Sequence, residues 1–178
     1  MKKFLSLILF LSSLGAFLNA QEPVKYSEVI QCEGISADQA YSNIELWAVN
    51  SFKSPQKNVQ LRDKEGKKLV IKAATIFKSQ KKAVGDINGF IEYTLNIFFK
   101  DGRFKVDMID ICHKAQNPNY DFGYLYDVEA PDKKIPFASK KWIGEIYAEM
   151  KGTAYLEFKD ICSMLEKAVK TQTTDDNW

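Results

Sequence analysis

Residues 90–113 read FIEYTLNIFFKDGRFKVDMIDICH, and the Asp101-Gly102 pair at their centre decides the fold. Two runs rich in β-branched and aromatic residues flank a two-residue loop. Asp-Gly is a strong hairpin signal, with both central residues expected at positive φ. A loop of that length fixes the register of the strands on either side. Phe99 then faces Phe104, Ile97 faces Val106, Leu95 faces Met108, Tyr93 faces Asp110 and Ile91 faces Cys112. Apart from Asp110 this face is apolar, so it is predicted to pack on helices. The other face pairs Phe98 with Lys105, Asn96 with Asp107, Thr94 with Ile109 and Glu92 with Ile111. That face is mixed, and is expected to be either half-solvated or covered.

Upstream of the hairpin, residues 24–32 alternate and are rich in β-formers, which predicts a first strand ended by Gly34. Ser36 and Gln39 fit a capping box, in which each side chain satisfies the other's free backbone N–H. Ala40, Ile44, Trp47, Ala48 and Phe52 then recur at helical spacing. Pro55 lies just past the end of that helix. Residues 58–62 and 69–77 read as strands around a polar turn at 63–66, and 78–88 is a polar connection.

Downstream, 116–139 carries Pro118, Pro131 and Pro136 and has no helical period. It is long for a plain loop. Trp142, Ile143, Ile146, Tyr147 and Met150 form one apolar stripe. Tyr155, Phe158, Cys162, Leu165 and Val169 form a second. Gly152 and Thr153 between them read as a stop and a new N-cap, which predicts two helices. The order β-α-β-β-β-β followed by helices implies an α+β two-layer domain, an antiparallel sheet with helices on one face.

The N-terminus has a different character. Lys2 and Lys3 precede an apolar run from Phe4 to Leu11, and Ala20 is a small residue suited to a cleavage point. That is the pattern of a secretory signal peptide over residues 1–20, which is excluded from fold reasoning. The expected location is periplasmic or secreted, with no transmembrane segment once the signal is cleaved. With Lys2 and Lys3 removed, 23 basic residues balance 23 acidic ones. A nucleic-acid binder usually carries a basic surplus, so no nucleic-acid partner is expected. Three cysteines, Cys32, Cys112 and Cys162, allow at most one internal bridge, and buried thiols are expected instead. Cys112 is predicted on the helix-covered face near Cys162.

These pieces resemble a known family of exported bacterial proteins. The signal peptide is followed by YSEVIQCEGISADQAYSNIELWAVNSF, then VQLRDKEGKKLVIKAATIF, then GFIEYTLNIFFKDGRFKVDMIDI. Together these span about 26–113 and are similar to DUF4468, a domain of unknown function with a TBP-like (TATA-binding-protein-like) fold. The resemblance implies a TBP-like sheet with helices on one side, placed here over residues 21–116; beyond the match the residues themselves predict an aromatic connecting segment at 117–139. C-terminal helices at 140–172 pack on the same domain, and 173–178 is a disordered tail. The resemblance implies no activity, and a fold's name does not set its function.

No residue set carries a legible chemistry. His113 is the only histidine and follows Cys112. Neighbours on a strand point to opposite faces, so the two do not form a dyad. One histidine without close metal-ligating partners is poor for zinc. Asp107, Asp110 and Glu92, with Asp86 and Asp101, invite acid–base work, but a Tyr93–Asp110 hydrogen bond at the sheet margin is the simpler reading. No catalytic, metal or cofactor site is assigned, and no cofactor is expected. Tyr120, Phe122, Tyr124 and Tyr126 alternate through the long connection. They are expected to form a flap that closes over the second sheet face, the one assigned Phe98, Ile109 and Ile111, with an extra edge strand or a binding platform as the alternatives. With Phe98 and His113 they are the candidate binding residues. The expected function is a non-enzymatic envelope module. It would bind a protein, peptide or glycan through the open sheet face or the aromatic loop. The alternative is an envelope hydrolase with a dispersed carboxylate and histidine site.

Overall fold

The computed structural model describes residues 21–81, 85–136 and 138–171. The signal-peptide stretch, the tail at 173–178 and Lys82 of the polar connection lie outside the described residues. The chain forms β1 (Tyr26–Gln31), α1 (Ala37–Ser51), a one-turn α2 (Pro55–Asn58), β2 (Val59–Asp63) and β3 (Lys68–Phe77). There follow β4 (Gly89–Lys100), β5 (Arg103–Ala115), the short β6 (Gly123–Tyr124) and α3 (Lys140–Thr171). The sheet runs β1-β5-β4-β3-β2, all antiparallel, with β6 also on β5. Both long helices lie on one face. That is the α+β two-layer arrangement the hydrophobic pattern implies.

Alternation explains the layers. Leu69, Ile71, Ala73 and Phe77 of β3, Ile91, Tyr93, Leu95, Ile97 and Phe99 of β4, and Phe104, Val106 and Met108 of β5 are all buried against the helices. From α1 come Ala37, Ala40, Tyr41, Ile44 and Ala48, while Trp47 and Phe52 are only partly buried. Full burial of one side chain the size of Ile44 contributes about 1.5–3 kcal/mol. Ser36 caps α1 as its sequence promised, its Oγ accepting from Gln39 N–H (3.2 Å).

The Asp101-Gly102 loop joins Lys100 to Arg103 as expected, but its conformation differs from the expectation. Gly102 has φ 74°, and Asp101 is not among the positive-φ residues. The Asp101 carboxylate is engaged elsewhere, accepting from Ala37 N–H at the start of α1 (2.8 Å). The hairpin loop is thus also a helix cap, and only glycine takes the left-handed position.

Three predicted features are corrected. The hairpin register holds from Phe99↔Phe104 to Thr94↔Ile109 and then shifts, so that Glu92 pairs with Cys112 and Ile91 with His113. Asp110 is the extra residue, with φ 54°, and it lies exposed and not opposite Tyr93. It is a β-bulge built on a left-handed residue, a conformation that Asp tolerates better than most. Past the bulge the faces exchange. Ile111 and His113 turn toward the helices, and Cys112 turns away from Cys162 onto the opposite face.

The two expected C-terminal helices are one helix of 32 residues, about 48 Å long. Gly152 has open space around its Cα, and Thr153 Oγ1 donates to the Glu149 carbonyl (2.9 Å) and caps nothing. A mid-helix glycine costs about 1 kcal/mol, which the burial of Met150, Ala154 and Phe158 offsets. Finally, the aromatic segment does not close over the second sheet face. Its Gly123 and Tyr124 continue the row of β1 along β5, pairing with His113 and Cys112. Of the readings open for this segment, the additional strand is the one observed.

Candidate functional site

The bulge decides what His113 does. Its side chain is fully buried on the helix face, edge-on to Phe77 (5.4 Å between ring centres) and to Phe122 (5.7 Å). Phe122 N–H donates to Nδ1 (3.2 Å), so Nε2 carries the proton and donates to the Ile87 carbonyl (2.9 Å). Burial holds the imidazole pKa down at about 4. Both ring nitrogens are therefore used in clamping the chain before β4 and the strand β6 to β5. The histidine is a structural bolt, not the binding candidate the sequence offered. Asp107 and Glu92 pair with residues on the opposite face, so the dispersed carboxylate–histidine set is not brought together. Burial also pushes the thiols of Cys32, Cys112 and Cys162 up, Cys162 to about 12, so none is poised as a nucleophile.

The aromatic segment divides by face. Phe122 is buried, its ring near Tyr147 (5.9 Å) and under the Lys133 ammonium. Tyr120 is partly buried against the core. Tyr126 is half-buried, and its N–H donates to the Tyr147 hydroxyl (2.6 Å). Tyr124 alone of the four is well exposed. Phe122→Ser should therefore lower stability by about 3 kcal/mol, while Tyr124→Ser should change it by less than about 0.5 kcal/mol. Thermal melts of the two single variants check this. Equal shifts would contradict the facing described.

What remains uncovered is the whole second face of the sheet, on which the register sets side chains in transverse rows. Ile76, Phe90 and Lys114 form one row, and Ala74, Glu92, Cys112 and Tyr124 the next. Lys72, Thr94 and Ile109 follow, then Val70, Asn96, Asp107 and Ser27. Lys68, Phe98, Lys105 and Val29 come next, and Lys100, Arg103 and Gln31 close the face at the hairpin end. Ile76 is 71 % exposed, Phe90 53 %, Tyr124 55 %, Val29 50 % and Phe98 36 %. The Lys68 and Lys105 ammonium groups lie 5.2 and 6.0 Å from the centre of the Phe98 ring. A depression of about 250 Å³ opens beside it, bordered by Val29, Lys100, Arg103 and Lys105.

Among the candidate binding residues, this face holds Phe98 and Tyr124, whereas Phe122 and His113 belong to the core. Sequence reasoning missed Val29, Lys68, Lys100, Arg103, Ile76 and Phe90 as members of the face. The hairpin register alone places Lys100, Arg103 and Phe90 with Phe98. Val29, Lys68 and Ile76 join it only through the long-range strand order. A larger cavity, about 930 Å³, lies between the loop at 128–135 and the start of α3. No site is assigned there. Among the described residues no group of His, Cys, Asp or Glu is placed to hold a metal ion, and no helix is long and apolar enough to cross a membrane.

The comparisons agree with this architecture. The chain is similar to a TBP-like protein from Parabacteroides distasonis, with a TM-score of 0.60 at 14 % identity, over 84 % of this chain and 94 % of that one. It is also similar to a DUF4468 family protein from Bacteroides ovatus, with a TM-score of 0.58 at 18 % identity, over 85 % and 89 %. At such identities the likeness speaks for the fold alone. No curated protein matches. The family model described as "Domain of unknown function (DUF4468) with TBP-like fold" matches residues 26–114, from the start of β1 to near the end of β5. With β1 to β4, nearly all of β5, the bulge and α1 inside that match, the chain belongs to the DUF4468 family of TBP-like domains.

Proposed function

We propose that this protein is a non-enzymatic, exported binding module of the bacterial cell envelope, and that the open sheet face is its working surface. The observation that carries the reading is a complete sheet face left without a covering layer, with Ile76, Phe90, Tyr124, Val29 and Phe98 in solvent. Large apolar side chains exposed at both ends of one open face mark an interaction surface more often than an idle one. The aromatic segment is the poorer candidate, since its Phe122 is spent in the core. The export half of the reading rests on Lys2, Lys3, the apolar run and Ala20. N-terminal sequencing of the protein from its host should begin near Gln21, and retention of Met1 would defeat export.

A photo-crosslinking residue placed at Ile76 or Phe90 should yield adducts in living cells. The same residue at Leu156, exposed on α3, should not. Adducts confined to Leu156, or no adduct at either open-face position, would defeat the assignment of the working surface.

A further inference from the structure

We infer that the hairpin end of the open face receives an acidic segment of a partner polypeptide, with one apolar side chain of that segment seated beside Phe98. This rests on the open face being the working surface. Positive charge surrounds an apolar depression there. Lys68, Lys100, Arg103 and Lys105 gather within two adjacent rows. The carboxylate nearest in register is Asp107, already held by Lys105 (2.8 Å) and by the Ser27 hydroxyl (2.6 Å). Lys68, Lys100 and Arg103 make no ion pair with a described residue. Some cations elsewhere are paired, as Arg62 is with Glu45 (3.0 Å) and Lys159 with Glu28 (2.6 Å). Lys72 makes no ion pair with a described residue but stands alone in its row, whereas the hairpin end gathers four cations. Since 23 basic residues balance 23 acidic ones over residues 21–178, the surplus here is local and not a background.

The shape narrows the ligand class. The depression of about 250 Å³ is too small for a drug-sized molecule and suits one side chain. Val29 and Phe98 give it apolar walls, and the cations stand on its rim. A polypeptide that alternates carboxylates with apolar residues supplies both features at strand spacing. A single-stranded nucleic acid would want a free ring to stack on. Phe98 instead has two ammonium groups against it.

Fluorescence anisotropy with the mature protein and a labelled ten-residue peptide of alternating Glu and Leu tests this. We expect saturable binding that weakens at least about tenfold in a Lys100→Glu/Arg103→Glu variant and on raising salt from roughly 50 to 300 mM. Both substituted residues are exposed, and an unchanged melting curve confirms that the variant is folded. The Lys/Leu and Glu/Ser counterparts should bind at least about tenfold more weakly. Absence of saturable binding by the Glu/Leu peptide, equal binding to the charge-reversed variant, or tighter binding of a labelled oligothymidylate would overturn the inference. Crosslinks at Ile76 or Phe90 alongside any of those results would leave the broader reading standing.

Discussion

His113→Leu should destabilise the protein by about 3–5 kcal/mol, because it leaves two buried backbone groups without partners at about 1–3 kcal/mol each and fits the ring's site poorly. The groups are Phe122 N–H and the Ile87 carbonyl, both in buried residues. Urea denaturation at pH 7 measures the loss, and a change under about 1 kcal/mol would contradict the clamp. The same residue makes the wild type acid-sensitive. The unfolded chain takes up a proton near pH 6.5, whereas the folded imidazole stays neutral down to about 4. Stability contributed by the neutral ring is therefore full above pH 6.5 and falls as pH drops toward 4, by up to about 3 kcal/mol. In the leucine variant this part of the pH slope disappears. A slope equally steep in both proteins would show that His113 is not its source.

Asp110→Val should be among the more damaging single substitutions on the exposed side of the sheet. A β-branched residue cannot hold φ 54° without strain of about 1–3 kcal/mol, which drives the strand toward the uninterrupted hairpin register, in which Ile111 and His113 turn to the open face and Cys112 to the core. Strand β6 loses the neighbours it pairs with, since Cys112 and His113 now present the wrong sides. We expect a stability loss of at least about 1 kcal/mol, read from urea or thermal melts. Asp110→Gly should instead be neutral or slightly stabilising, because glycine adopts φ 54° without a side-chain penalty. An Asp110→Val variant that melts like the wild type would mean that the left-handed residue does not set the facing of β5.

The contrast shows what was legible in the residues. Alternation in 90–108 and the Asp101-Gly102 pair specify the hairpin centre, and helical spacing from Ala40 to Phe52 specifies α1. Asp110 was not legible as a bulge. The run Ile109-Asp110-Ile111-Cys112-His113 offers an apolar residue to the core in either register, and the usual glycine signal is absent. That single residue decides the role of His113, the side of Cys112 and the docking of Phe122, so one missed insertion displaced the whole candidate site. The Gly152-Thr153 break failed for another reason. Local helix-stop chemistry is weaker than a continuous apolar stripe packed on the sheet. On the open face, Phe98 was legible from the hairpin, but its cationic surroundings needed the β3 and β1 pairings.

The lateral margins of the sheet bear on how the protein avoids polymerising with itself. On one side the outermost strand is β2, five residues long, with an irregularity between Val59 and Leu61. Beside it the Asn58 amide occupies the Lys72 carbonyl (2.8 Å), and Arg62 is tethered to Glu45 of α1. On the other side the outer row is shared between β1 and β6, which meet β5 on either side of the Asp110 kink. A strand from a second molecule would find a short, broken and charged ladder on one side and an interrupted one on the other. Continuous sheet extension is blocked at both margins, and partners are left to dock on the broad face and not along its rim.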